Sequence, residues 1–341
     1  MNSHPHLSII IVNYNTPQLT YECIESIYRF PPSCPFEVLV MDNGSDENLQ
    51  ERLNGDFANL RFIEMGANTG FAKANNLAVY NARGRYLVFL NSDTLLGEDC
   101  FSPMIEYLET HPKVGAIGPR QMDGRKNFQL SCGKFPTFFS ELVRRLWHYR
   151  LSLNDQWIRD FLDQRHATLC EVDWISGSCM MTRRETLEAT GLFDERFFMY
   201  FEDIDLCRRI WEAGYEVHFY HQVSLLHYGG KSAQLNLLRV LIEYRKSQIY
   251  FARKYYGRTG EWTIRLMLLG KYLVHFVQWF PVFVMAKMAR RDTEAAYTHS
   301  LLAKKGMELV FQKIASHSLI PQLFPLKKKA PSVPSVQPMV F

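Results

Sequence analysis

Four short apolar-rich runs lie within the first hundred residues, each closed by a polar cluster and separated from the next by stretches with helical spacing. Leu7 to Val12 ends in Asn13-Tyr14-Asn15, and Phe36 to Met41 ends in Asp42-Asn43-Gly44-Ser45. Leu60 to Glu64 precedes Asn68-Thr69-Gly70, and Tyr86 to Leu90 ends in Asn91-Ser92-Asp93. Leu19 to Tyr28, started by Thr16-Pro17, and Phe71 to Ala82 carry apolar residues at helical intervals. Continuous β-branched runs read as strands buried on both faces. Alternation with helices at this interval predicts an α/β domain with a mostly parallel sheet. Ligands of such sheets sit beyond the carboxyl ends of the strands, where all four polar clusters fall.

The pattern loosens after residue 114. Val114 to Ile117 and Ser178 to Thr182 read as strands, and Glu216 to Tyr220 and Val223 to His227 as two short ones before Gly229-Gly230. Phe135 to Asp163, aromatic and basic, reads as a partly helical insertion on the substrate side. Beyond Gln234 the spacing is helical, from Leu235 to Tyr256 and from Trp262 to Ala289. The longest uncharged piece there, Tyr272 to Ala286, falls short of the roughly 18–20 apolar residues that span a bilayer. Two readings stay open for it: a basic, aromatic helix lying in an anionic membrane interface, or a helix packed on the core. The expected division is 1–234 for the α/β domain, 235–320 for a helical region and 321–341 for a disordered tail with Lys327-Lys328-Lys329.

Composition narrows the function classes. A chain of 341 residues with 47% hydrophobic and 22% charged residues affords a large core. A formal charge of +4 is too small to argue for nucleic acid, and none is expected as a partner. Seven scattered cysteines without a CxxC pair fit reduced thiols. With the polar start Met1 to His6, read as lacking a signal peptide, they place the chain in the cytoplasm.

Phe201-Glu202-Asp203-Ile204-Asp205 puts three carboxylates within four positions, beside Phe197, Phe198 and Tyr200. Like charges and apolar bulk push a carboxyl group toward the pKa of a general base. The same run also suits a helix N-terminus, where acids favour the positive end of the dipole. Asp93 at a strand end suits a hard divalent cation shared with a diphosphate, and His227 is a candidate second ligand. Neither GxGxxG nor GxxxxGK[ST] occurs, which argues against dinucleotide redox and P-loop chemistry.

Taken in order, these blocks resemble the family 2 glycosyltransferases of GT-A fold, in their rhamnosyltransferase-like branch, over about Leu7 to Ser232. The blocks are Ile11 to Asn15, Asp42 to Ser45, Asn68 to Ala72 with Asn75-Asn76, and Leu90 to Thr94. Further on come Trp174 to Ser178, Gly191 to Glu195, Glu202-Asp203 and His227 to Ser232. The resemblance implies an inverting transfer from a nucleotide sugar, with Asp203 as base. Asp93, and His227 with it, would hold Mg²⁺ or Mn²⁺. Val12, Asn13, Tyr14, Asn15, Asp42 and Asn43 would take the nucleotide, and Asn68, Gly70, Asn75, Asn91 and Ser92 would line the donor pocket. Trp174, Gly177, Ser178 and Glu202 would face acceptor or sugar, while Glu202 and Asp205 would orient Asp203, Arg208 or the donor. Many relatives carry Asp-x-Asp at the metal strand, where this chain has Asn91. The implied donor is dTDP-L-rhamnose, with UDP-hexose, UDP-GlcNAc and UDP-galactofuranose as alternatives. The implied acceptor is a lipid-linked glycan met at the inner face of the plasma membrane, for cell-surface polysaccharide. A non-catalytic binding protein of the same fold is the competing reading. A processive synthase is disfavoured, because Gln-x-x-Arg-Trp is absent.

Overall fold

The computed structural model describes residues 5–311, apart from 54, 56, 138–139, 141–142, 144–145, 148, 152, 154, 169, 230–236 and 289–293. The expected tail, the 234/235 boundary and Gly230-Lys231-Ser232 lie outside the described residues.

The chain runs β1 (Leu7–Asn13), α1 (Pro17–Arg29), β2 (Phe36–Asp42), α2 (Leu49–Leu53), β3 (Leu60–Glu64), α3 (Phe71–Asn81) and β4 (Tyr86–Asn91). It continues through β5 (Thr94–Leu96), α4 (Phe101–Thr110), β6 (Val114–Met122), β7 (Phe128–Gln129), β8 (Cys132–Gly133) and α5 (Gln156–Arg165). Then come β9 (Cys170–Glu171), β10 (Trp174–Ile175), β11 (Cys179–Arg183), α6 (Arg184–Thr190), α7 (Glu202–Glu212) and β12 (Glu216–His227). Two helical segments follow, α8 (Leu237–Met288) and α9 (Glu294–Phe311). The sheet order is β3-β2-β1-β4-β11-β6-β12-β5, with β7 on β6 and β9 on β12. Its first four strands are parallel, β11 runs antiparallel between β4 and β6, and β12 lies parallel to β6.

Alternation along the strands explains why both faces are covered. On β1, Leu7, Ile9 and Ile11 join one core with Val88 and Leu90 of β4 and Ile24 of α1. Ile10 points the other way, with Leu39, Leu87, Phe89 and Ile210. A sheet buried on both sides leaves only the strand ends open for polar chemistry.

Several elements differ from the sequence reading. β12 is one strand, because its pairing with β6 shifts register between Tyr220 and Ser224 instead of stopping. His221 and Gln222 are what break the apolar pattern there. β6 runs past Ile117 through Gly118 and Pro119, since its pairing with β12 outweighs the local breakers. β5 went unread because three residues are too few to show a period, and the ten-residue α4 went unread with it.

The chain forms two compact units, and Arg196–Phe201 belongs with the helical one although Glu202 follows it directly. Within that unit Phe197 meets Tyr250 at 4.8 Å, Phe201 meets Tyr244 at 5.3 Å, and the Ser247 hydroxyl donates to the Met199 carbonyl at 2.8 Å. Leu268 and Tyr272 of α8 pack with Leu309 and Val310 of α9, whose terminal carbonyls accept from the Arg265 guanidinium. The helical run of α8 breaks at Gly257 (φ 63°, ψ −157°). Among the described residues no helix is long and apolar enough to cross a membrane. All seven cysteines are free thiols.

Candidate active site

The ends of β1 and β2 are tied to each other before any ligand is considered. Asn13 Nδ2 donates to Asp42 Oδ1 at 2.6 Å, and Ser45 donates to the same oxygen through its hydroxyl at 2.7 Å. The Ser45 backbone N–H donates to Asp42 Oδ2 at 3.0 Å. Asp42 thus has three of its roughly four lone-pair sites taken, which leaves Oδ2 as the oxygen with room for a base N–H. Gly44 makes this turn possible, at φ 77° and with no space for a Cβ against the Ala67 backbone. Val12, Tyr14 and Asn15 are half-buried at its lip.

Asn43 knots the second lip. Its Nδ2 donates to Asn68 Oδ1 (3.2 Å) and to the Gly70 carbonyl (3.3 Å), while its Oδ1 accepts from the Thr69 N–H at 2.8 Å. Asn75, one turn into α3 and 1% exposed, donates to the Phe71 carbonyl. Its Oδ1 is buried without a hydrogen-bond partner among the described residues. A buried orphan acceptor costs about 1–3 kcal/mol, and a ligand hydroxyl or N–H would relieve that.

At the end of β4, Asp93 Oδ1 lies 3.2 Å from His227 Nε2. Asn91 Nδ2 stands 3.3 Å from the same nitrogen. The other ring nitrogen, Nδ1, faces Gln129 Oε1 at 2.9 Å and so is the N–H donor. Gln129 thereby fixes the ring with Nε2 toward the Asp93 carboxylate. One carboxylate and one imidazole converging this way fit a borderline divalent cation that takes its remaining ligands from a diphosphate and water. Ser92 is turned away and shares a hydrogen bond with Thr16 at 3.1 Å.

Asp203 opens α7 together with Glu202 and Asp205, as the helix-start reading of this run expects. Gly177 N–H donates to its Oδ2 at 2.9 Å and Ile204 N–H to its Oδ1 at 2.8 Å. Burial pushes the Asp203 carboxyl up, against the lowering effect of these N–H donors. Burial, and then the Asp203 charge, push Glu202 well above the usual carboxylate range. Glu202 Oε2 is also buried without a hydrogen-bond partner among the described residues. Just before the helix, Tyr200 (φ 66°) and Phe201 (φ 69°) hold left-handed backbone, a conformation bulky side chains adopt only under constraint. Asp205 pairs with Arg209 at 2.9 Å, and Arg208 with Glu212 at 3.0 Å over the Phe135 ring. Both pairs run along α7.

One turn links Asp203 to the end of β4. Gly177 donates to Asp203, and the carbonyl of the next residue, Ser178, accepts from Asn91 N–H at 2.9 Å. The Ser178 side chain goes to Gln121 Oε1 instead. Trp174 is half-buried with its indole N–H on the Lys134 carbonyl. Sequence reasoning missed Gln129, which orients His227 from a two-residue strand that carries no period. It also missed the N–H role of Gly177, which no side chain announces.

A family model described as Glycosyl transferase family 2 matches residues 8–191. The N-acetylglucosaminyl-diphospho-decaprenol L-rhamnosyltransferase of Mycobacterium tuberculosis is 27% identical over 250 residues, covering 68% of this chain and 80% of that protein. Rhamnosyltransferase WbbL of Escherichia coli is 28% identical over 235 residues, covering 66% and 85%. Among solved structures, the mannosyltransferase PcManGT of Pyrobaculum calidifontis, in complex with GDP-Man and Mn²⁺, superposes with a TM-score of 0.51. Its identity is 17%, and the match covers 91% of this chain and 89% of that one. This likeness shows the GT-A fold.

Proposed function

The chain belongs to glycosyl transferase family 2 and is a glycosyltransferase; from that premise we propose that it is an inverting enzyme moving L-rhamnose from dTDP-L-rhamnose to a hydroxyl of a lipid-linked glycan. The observation that carries this reading is the Asp203 carboxylate, buried, raised in pKa and aimed by the Gly177 N–H, one residue from the Ser178 carbonyl that binds Asn91 at the end of β4, two residues before Asp93. In the reaction the acceptor O–H gives its proton to Asp203, the oxygen attacks the anomeric carbon, and the nucleoside diphosphate leaves from the opposite face. Asp93 and His227 would hold Mg²⁺ or Mn²⁺, which neutralises charge on the departing diphosphate when bound. Asn13, Asn15, Asp42 and Asn43 shape the nucleotide lip, and Asn68, Gly70 and Asn75 the donor pocket. Trp174 and Ser178 wall the acceptor side. The two named rhamnosyltransferases support the sugar, and the decaprenol-linked substrate in one of their names supports the acceptor. The Mn²⁺ and GDP-Man of the mannosyltransferase are held on the same fold, which supports a metal and a nucleotide sugar.

A thermal-shift screen tests the donor. It compares dTDP-L-rhamnose, UDP-glucose, UDP-galactose, UDP-GlcNAc and GDP-mannose, each with and without Mn²⁺. A ligand that binds the native state alone raises the melting point by mass action. A metal-enhanced shift is expected with dTDP-L-rhamnose; a larger shift with a UDP sugar would replace the donor. No shift with any of them would favour a non-catalytic member of the fold.

The enzyme would then work at the inner membrane face. Leu266, Leu273, Val277, Phe280 and Met288 recur at helical spacing along α8 and are exposed, with Val277 62% open. Exposed Arg258 and Lys271 lie on the same helical run. An apolar stripe with basic neighbours suits an anionic lipid surface. Sedimentation with anionic vesicles and a change in Trp262 and Trp279 fluorescence are expected. No sedimentation and no change would remove the membrane from the proposal.

A further inference from the structure

Far from the strand ends just described, β12 and β9 build a second set of convergent ligands. β12 and β9 are antiparallel and place His218 directly opposite Glu171. Glu216 lies two positions earlier on β12 and therefore on the same face as His218. One ligand atom from each of Glu171, Glu216 and His218 lies within 4.8 Å of the others. The tightest pair, His218 Nε2 and Glu216 Oε2, is 3.1 Å apart, close to the edge of a coordination tetrahedron.

The imidazole is oriented from outside this group. His218 Nδ1 meets the Tyr107 hydroxyl of α4 at 2.9 Å, and that ring is stacked on His111 at 3.9 Å between centroids. Fixing the far nitrogen from a neighbouring element is how ligating histidines are held. The Glu171 end of the set is open to solvent. Glu171 lines an open cavity of about 350 Å³ with Phe135, Asp173, Arg208, Trp211 and Glu212. His218 and His227 are nine residues apart on one strand, roughly 30 Å at full extension, so the two sites are distinct.

We propose that Glu171, Glu216 and His218 form a second divalent-cation site, for Zn²⁺ above all, which clamps β9 to β12. An imidazole with two carboxylates is a borderline donor set, and three protein ligands leave a coordination position for water. The clamp would steady the chain that leads from Glu171 through Val172 and Asp173 to Trp174. The inference does not depend on the donor or the acceptor.

Zinc titration of the full chain by calorimetry tests it, with the metal alone as probe. An Asp93→Asn/His227→Gln background removes the first site. One equivalent of Zn²⁺ is expected to remain, with a rise in melting temperature. Adding Glu171→Gln and Glu216→Gln, both on exposed or half-exposed side chains, should abolish it while the metal-free melting temperature stays near its starting value. Co²⁺ in place of Zn²⁺ should give visible d–d bands that vanish with the same pair of changes. No equivalent in the first background, or one that survives the glutamine changes, would overturn the site.

Discussion

Replacing Asp203 by Asn separates a base from a structural acid. Two backbone N–H groups aim at its carboxylate, from Gly177 at 2.9 Å and from Ile204 at 2.8 Å. An amide keeps one acceptor oxygen, so one N–H meets an NH₂ group and loses its bond, at a cost of about 1–3 kcal/mol when buried. Burial already disfavours the charged carboxylate, and its removal offsets part of that loss. The fold should therefore lose no more than about 3 kcal/mol. Turnover behaves differently. A positioned general base contributes about 10²–10⁴-fold, or about 2.7–5.4 kcal/mol of barrier at 1.36 kcal/mol per tenfold. Nucleoside diphosphate release with acceptor present gives the rate, and calorimetry gives donor affinity. Asp203→Asn should retain the affinity and lose the rate. The low-pH limb of the wild-type rate, set by the raised Asp203 pKa, should also disappear from the variant. Turnover within about tenfold of wild type, with that limb intact, would refute the assignment.

Three further changes probe the same surroundings. Gly177→Ala would put a Cβ 3.3 Å from Asp203 Cβ and 3.4 Å from Phe71 Cε1; the base must move by a few tenths of an ångström, and kcat should fall up to about a hundredfold with donor affinity kept. An unchanged kcat would mean the loop yields instead. Glu202→Gln addresses pH. With its folded pKa raised, native Glu202 holds a proton that the unfolded chain has released, so stability is highest below the ordinary carboxyl range and falls as pH rises through the raised value. The glutamine variant should show a flatter melting-temperature profile over that window and a higher melting temperature at neutral pH; an identical slope would remove Glu202 as its source. Asp93→Ala should weaken donor binding by more than about tenfold in Mn²⁺ and much less in metal-free buffer. Equal losses in both buffers would make Asp93 a structural residue.

Much of this molecule follows from local pattern. The apolar runs of β1, β2 and β4 sit where their composition predicts, because residues buried on both faces leave few polar alternatives, and the half-buried edge strand β3 is found where it was read as well. Their terminal clusters (Asn13 to Asn15, Asp42 to Ser45, Asn91 to Asp93) gather at one edge because parallel strands all end there. Glu202-Asp203 was legible as an acidic helix start, since a charge at a helix terminus is a local property.

Tertiary structure decided what depends on distant partners. His227 meets Asp93 and Gln129 because one continuous β12 carries it past β5 to the end of β4, across a register shift that reads in the sequence as a break. Asp203 is aimed by a glycine N–H that has no side-chain signature. Arg196–Phe201 packs among the helices, against Tyr244 and Tyr250, though its neighbour Glu202 opens a helix of the α/β unit. Glu171 faces His218 only through an antiparallel pairing with the two-residue strand β9, too short to show a period. Sequence period records which face a residue presents to its own element; register and chain crossing determine what that face meets.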